Sequence, residues 1–276
     1  MSAIECRSLV HIYKSADLEV FALQGLDMTV EDGEVVAIVG ASGSGKTTLM
    51  NVLAAVEKPS AGQAVVAGRE LGSLSDRSRD AYRRDVIGYV WQNATLNLTP
   101  ELTAFENLQL PLMLARRSRS ERRERAYELL DTLGLTQLRG HVPAQLSGGE
   151  QQRLALGVAI ANRPKVLLAD EPTAELDRTS ARRMLEDLGR LRDRDGTTIV
   201  MVTHDHEVER HVDRVLRIRD GRTSTETRAE TGELLIVDPA GRLQLPKSVR
   251  EQANLGARVR ARVEDGRVII ERADDA

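Results

Sequence analysis

The chain has 276 residues, 41% hydrophobic and 29% charged, which is enough apolar material for a real core in one large or two smaller domains. Lys and Arg number 39 against 42 Asp and Glu, a formal net charge of −3, so charge alone argues for neither a nucleic-acid-coating nor a membrane-coating surface. The single cysteine, Cys6, excludes an intramolecular disulfide and fits a reducing compartment; Met1 to Arg7 lacks a leader's apolar segment, and no apolar run approaches the ~18–20 residues that span a bilayer, so work at a membrane needs other chains to do the spanning.

Residues 1–34 read as strands and turns. Leu9 to Tyr13 and Leu18 to Leu23 are short strands, Leu26 to Val30 alternates as a half-buried strand does, and Glu31-Asp32-Gly33 is a turn. Val35 to Val39 is an unbroken apolar run. It is followed by Gly40-Ala41-Ser42-Gly43-Ser44-Gly45-Lys46-Thr47-Thr48, and then by Leu49 to Leu53, which reads as helix. Strand, glycine-rich turn and helix are the setting in which this pattern makes a phosphate site. Gly43 and Gly45 let successive N–H groups turn inward on an anion, and the helix adds its free amides and the positive end of its dipole. Lys46 brings a point charge to the phosphates and Thr47 a hydroxyl for Mg²⁺. A nucleoside triphosphate site is the reading.

The helix after this loop is predicted to end near Glu57 to Ser60. Gly62 to Gly68 reads as a short strand, Asp76 to Arg84 as a charged helix, and Val86 to Trp91 as a buried strand ending at Gln92. A polar loop and a helix over Thr103 to Leu114 follow. The arginine-rich stretch Arg116 to Arg125 reads as the solvated face of a helix whose apolar side is Ala126, Leu129, Leu130 and Leu133; a nucleic-acid or lipid patch is the alternative. Ser147 sits where a helix N-cap belongs, before Gly148 and Gly149, and that helix runs to about Asn162. It is either an ordinary capped helix or a second anion-binding helix start.

Val166 to Ala169 is a buried strand delivering Asp170 and Glu171. An acid at such a strand end is the usual Mg²⁺ partner of a phosphate loop, and its neighbour can face an attacking water. Thr179 to Arg194 reads as a helix and Thr197 to Val202 as a strand delivering Thr203 and His204. A zinc pair of His204 and His206 is set aside for want of a third ligand.

In this order the motifs resemble the ATP-binding cassette ATPases over roughly residues 3–225. They are Tyr13, Gly40 to Thr48, Gln92, Leu146-Ser147-Gly148-Gly149-Glu150, Val166 to Glu171, Leu176-Asp177 and His204. The resemblance implies an α/β P-loop fold, a mixed-sheet core with a helical subdomain. It implies ATP and Mg²⁺ as cofactors. Tyr13 would stack on adenine. Gly40, Ser42, Gly43, Ser44, Gly45, Lys46, Thr47 and Thr48 would hold the phosphates, with Thr47, Gln92 and Asp170 at the metal. Glu171 would be the base, assisted by Lys46, Gln92 and His204. Ser147, Gly148, Gly149 and Asp177 would complete the site of a partner cassette paired head to tail. Glu175 departs from the pattern, where a small or amide residue is usual. Asp17 to Val20, Ala22 to Gly25, Leu102 to Ala104 and Glu106-Asn107 look like the lipoprotein-releasing and macrolide-exporting branch, whose ATPases serve a separate permease.

Beyond Thr223 the chain turns polar, and residues 226–232 read as a linker. Leu234 to Val237 and Arg242 to Leu245 are predicted strands, Pro246 to Ala253 a short helix, and Arg258 to Glu264 with Arg267 to Glu271 a hairpin around Asp265-Gly266. Through Gly241 to Lys247 and Val249-Arg250, residues 233–272 resemble the swapped-hairpin, mainly-β fold of AbrB-type regulators. A unit this small is short of core, so dimerisation is preferred over DNA binding for it. The expectation as a whole is a cytoplasmic ATPase domain over 1–225 (helical subdomain about 93–162). It would lie on the inner face of the membrane, pair with a second copy and drive a permease. A soluble ATPase with a DNA-binding regulatory tail is the alternative, and intact Lys46, Asp170, Glu171 and His204 argue against a non-hydrolysing scaffold.

Overall fold

The computed structural model describes residues 1–15, 18–205, 208, 211–228, 232–238, 240–256 and 258–273. Two sheets and a helical insert enclose two apolar cores. Strands β1 (Ser2–Ser15) and β2 (Leu18–Glu31) form a long antiparallel pair, extended by β4 (Ala61–Val66) and β5 (Arg69–Glu70) in the order β2-β1-β4-β5. Sequence patterning suggests three short strands before Gly33. The structure instead has two long ones, because bulges near Cys6, Leu9 and His11 absorb the breaks in alternation without ending the pairing.

The main sheet is seven-stranded, in the order β11-β10-β9-β3-β8-β7-β6. Its centre is parallel: β3 (Val35–Val39), β6 (Ile87–Val90), β7 (Val166–Asp170), β8 (Thr198–Val202) and β9 (Arg214–Arg219). β10 (Arg222–Arg228) and β11 (Gly232–Leu235) add on antiparallel. The central strands are apolar throughout because both faces are covered. Val35, Ala37 and Val39 enter one core and Val36 and Ile38 the other, as the two-residue period of a strand requires.

On one face lies α1 (Lys46–Leu53), which buries Leu49, Met50, Val52 and Leu53 against the antiparallel sheet and α2 (Asp76–Asp85). The helix ends at Leu53, earlier than the predicted Glu57; a turn with Ala55 at φ +52° carries the chain on to Glu57. The other face carries α6 (Arg178–Asp195) and the helical insert of α3 (Ala104–Leu114), α4 (Arg119–Thr132) and α5 (Gly148–Ile160). α3 and α4 each open with a full capping box, Thr103 with Glu106 and Ser118 with Glu121.

The arginine-rich face is not wholly solvated. Arg125 is buried, with Nη2 donating to Ile160 O at 3.1 Å, Nε to Ala161 O at 3.3 Å, and Nη1 2.9 Å from Glu128 Oε1. It ties α4 to the open carbonyls at the end of α5.

The stretch read as a linker is structured through Arg228, since β10 pairs with β9 and buries Ser224 and Thr225. β11 pairs with β10, so the first predicted tail strand joins the cassette sheet. Of the second predicted strand only a bridge between Val237 and Leu243 forms. Helix α7 (Lys247–Gln252) and the hairpin β12 (Val259–Glu264) and β13 (Arg267–Arg272) follow as expected. The hairpin leaves Val259, Val263 and Val268 exposed. No helix among the described residues is long and apolar enough to cross a membrane.

Candidate active site

The carboxyl ends of β3, β7 and β8 lie side by side, so the loops that follow converge. They enclose a cleft of about 360 Å³ lined by Ser42, Gly43, Gly45, Lys46, Thr47 and Thr48 from the β3–α1 turn, Gln92 after β6, Asp170 and Glu171 from β7, and His204 after β8. Tyr13 closes one side with Val20, Phe21 and Ala22.

The turn is shaped by close backbone approach. A Cβ on Gly40 would lie 2.3 Å from Ile218 O, and one on Gly45, at φ +101°, 2.4 Å from Ala22 O. No side chain fits at either position. Lys46 is buried and its Nζ donates to Gly40 O at 2.8 Å and Ala41 O at 2.9 Å, so the loop wraps its own cation. Burial pushes the Lys46 ammonium down from its ordinary value, while the charges of Glu171 and Asp170 oppose this. The Ser44 hydroxyl is buried without a partner, as a donor meant for an anion in the loop would be.

Asp170 has its pKa raised by burial first and by the Glu171 charge second, with Lys46 opposing. The Thr47 hydroxyl, Gln92 and Asp170 offer only oxygen ligands, the set a hard cation takes. Among the described residues no group of three or more His, Cys, Asp or Glu could hold a metal by itself.

Glu171 sits at φ +47°, a left-handed conformation that a non-glycine residue adopts at a cost, with its N–H donating to Val202 O at 2.9 Å. Its carboxylate meets His204, whose Nε2 lies 3.1 Å from Glu171 Oε1. His206 lies outside the described residues.

Ser147, Gly148, Gly149 and Asp177 do not line this cleft. Ser147 caps α5 in a capping box with Glu150, whose carboxylate accepts from Ser147 N and Oγ at 2.8 Å. Asp177 caps α6, accepting from Thr179 N at 2.9 Å and Ser180 N at 3.1 Å. The two starts are adjacent, since a Cβ on Gly149 would lie 3.1 Å from Ser180 Oγ. The chain thus presents two separate clusters, the P-loop cleft and an exposed pair of helix N-termini.

Sequence reading missed the wall beside Tyr13. Val20 and Phe21 reach it through the β1–β2 pairing, in which Tyr13 faces Val20, and no local pattern signals that register. It also missed β9, although Val215, Leu216 and Ile218 carry an apolar signal there.

A P-loop turn between parallel strands, a strand-end acid pair and a capped helix insert define the chain as a nucleoside-triphosphate-binding cassette. A family model described as ABC transporter matches residues 23–174. The chain is 43% identical over 215 residues to the lipoprotein-releasing system ATP-binding protein LolD 2 of Caulobacter vibrioides, covering 78% of this chain and 93% of that one. It is 41% identical over 262 residues to the macrolide export ATP-binding/permease protein MacB of Sodalis glossinidius, covering 95% of this chain and 39% of that one. The chain thus spans about two fifths or less of the MacB relatives it matches. A solved dimer of the ATP-binding cassette MJ0796 bound to ADP and Pi superposes with a TM-score of 0.75 at 38% identity, over 82% of this chain and 98% of that one. The chain belongs to the ABC transporter family, as an ATP-binding cassette ATPase.

Proposed function

We propose that this chain hydrolyses ATP to drive a separate membrane permease, working as one of two identical cassettes on the inner face of the cell membrane. The observation that carries the reading is the convergence of Lys46, Asp170, Glu171, Gln92 and His204 on one cleft. The turn amides and Lys46 bind and orient the triphosphate. Thr47, Asp170 and Gln92 would hold a magnesium ion, which would neutralise charge on the phosphate oxygens. Glu171 takes the proton of the attacking water, and His204 fixes the Glu171 carboxylate and reaches the terminal phosphate. Catalysis is then mostly positioning and charge stabilisation. Ser147, Gly148 and Gly149 turn a helix N-terminus outward to cap the terminal phosphate bound by the partner cassette, with Asp177 beside them. The solved MJ0796 cassette is a dimer bound to ADP and Pi, which supports the pairing of two cassettes.

The likeness to LolD 2 and MacB supports a place in the branch that moves material or force across an envelope. The test is phosphate release by the purified chain with ATP and Mg²⁺. Turnover that disappears in Lys46→Ala is expected; none in the intact chain overturns the reading.

The tail beyond β11, residues 236–272, serves as an AbrB-like module that holds two cassettes together between ATP cycles. The apolar row Val259, Val263 and Val268 supports this, because an isolated two-stranded hairpin is marginal in water. DNA binding is disfavoured, since Arg262 on β12 is paired with Glu271 at 2.9 Å. Chains cut after Leu235, which keep the β11 edge of the cassette sheet, should dissociate without ATP while the full chain stays dimeric by light scattering; equal masses refute the role.

A further inference from the structure

We propose that Glu57 is a positioning residue of the nucleotide site: with His11 and Asn51 it locks the Tyr13 ring as the wall against which the nucleotide base lies. The inference rests on the reading of Tyr13 as the base-binding aromatic. Tyr13 is 41% exposed at the edge of the cleft, on an antiparallel strand away from the P-loop sheet. An exposed ring that must offer its face at one place loses rotamer freedom on binding unless it is held beforehand.

It is held on two sides. Its hydroxyl donates to Glu57 Oε2 at 2.8 Å and lies 3.4 Å from Thr48 Oγ1. The His11 ring packs edge-on against it, 4.7 Å between centroids at 71°. His11 is itself fixed: it is 8% exposed, its Nε2 lies 2.8 Å from Glu57 Oε2 and its Nδ1 3.0 Å from Lys58 O. The second Glu57 oxygen accepts from Asn51 Nδ2 at 3.2 Å, and Glu57 N donates to Asn51 O at 3.2 Å. Asn51 and Thr48 belong to α1, the helix that begins at the P-loop. One carboxylate therefore ties the ring on β1 to the phosphate-binding helix.

The experiment is equilibrium binding of a non-hydrolysable ATP analogue and of inorganic tripolyphosphate, both with Mg²⁺, to the full chain. The variants are Tyr13→Ala, Tyr13→Phe, Glu57→Leu and the Tyr13→Phe/Glu57→Leu pair. Tyr13→Ala should weaken the analogue about tenfold by loss of stacking. Tyr13→Phe and Glu57→Leu should each weaken it about three- to tenfold by loss of the tether, the pair no more than the weaker single variant. Tripolyphosphate, which has no base, should bind all four within about twofold of the original chain, a split that damage to the fold would not give. If Tyr13→Ala alone weakens the analogue, Tyr13 takes the base but Glu57 does not position it. If Tyr13→Ala binds the analogue normally, the base-binding reading of Tyr13 itself fails. Equal loss of tripolyphosphate in Glu57→Leu also overturns the proposal, and should that variant not fold, normal analogue binding by Tyr13→Phe overturns it.

Discussion

The imidazole Nε2 of His204 lies 3.1 Å from Glu171 Oε1, joining the ends of β7 and β8 beside the P-loop. Glu171 makes that contact from a left-handed backbone conformation at φ +47°. Both adjacent acids favour the charged form of Lys46, and Glu171 also meets a histidine. Glu171→Gln keeps the shape of the site and removes the base. It should retain ATP binding and lose about 10²–10⁴-fold in phosphate release. Turnover near that of the unaltered chain would remove Glu171 from this role.

Burying Asp170 beside Glu171 carries a cost for the charged carboxylate in the folded protein. Its raised pKa means that the folded chain holds this proton more tightly than the unfolded chain does. The associated stability is fully present below the ordinary aspartate value of about 4 and is lost as pH rises through the higher folded value. Asp170→Asn removes that dependence. Its melting temperature, measured without nucleotide, should rise relative to the unaltered chain as pH increases from about 4 toward neutrality, while Mg²⁺-dependent turnover is lost. A melting difference that does not change with pH contradicts the assignment.

The separation of Ser147 from Lys46 within one chain gives a mixing test. A Lys46→Ala chain and a Ser147→Arg chain should each be inactive alone. Mixed, they form dimers in which one site draws its P-loop from the Ser147→Arg chain and its helix cap from the Lys46→Ala chain. Phosphate release should reappear on mixing and scale with the mixed dimer. No recovery, with mixed dimers demonstrated, means that Ser147 does not act across a head-to-tail pair.

Arg125 should matter for stability rather than chemistry. Arg125→Met keeps the apolar stem but leaves Ile160 O, Ala161 O and Glu128 short of a donor. Loss of about 2–4 kcal/mol in denaturant unfolding is expected, as for a buried hydrogen-bonded charge. A change under about 0.5 kcal/mol would mean that the side chain is solvated after all.

What was legible in the sequence was local. The P-loop, the capped helix at Ser147 and the strand ending in Asp170 each carry their reason within a few neighbouring residues. What was not legible depends on distant partners. Bulges let β1 and β2 run on through polar breaks, and only pairing reveals that. Arg125 looks like its solvated neighbours until α5 ends beside it. Glu57 looks like a helix-end acid until β1 brings Tyr13 and His11 to it. The tail misled through its polarity: Ser224 and Thr225 are buried because β10 lies between β9 and β11, with Ser224 Oγ donating to Arg217 O.

The most direct test of the central claim is recovery of the permease. A tagged Glu171→Gln chain, expressed in its own host, is isolated with ATP from detergent-solubilised membranes, and its partners are identified by mass spectrometry. The expected result is a stoichiometric multi-span membrane protein, retained with ATP and lost in a Lys46→Ala control. Recovery only from the soluble fraction, with no multi-span partner, would contradict the account.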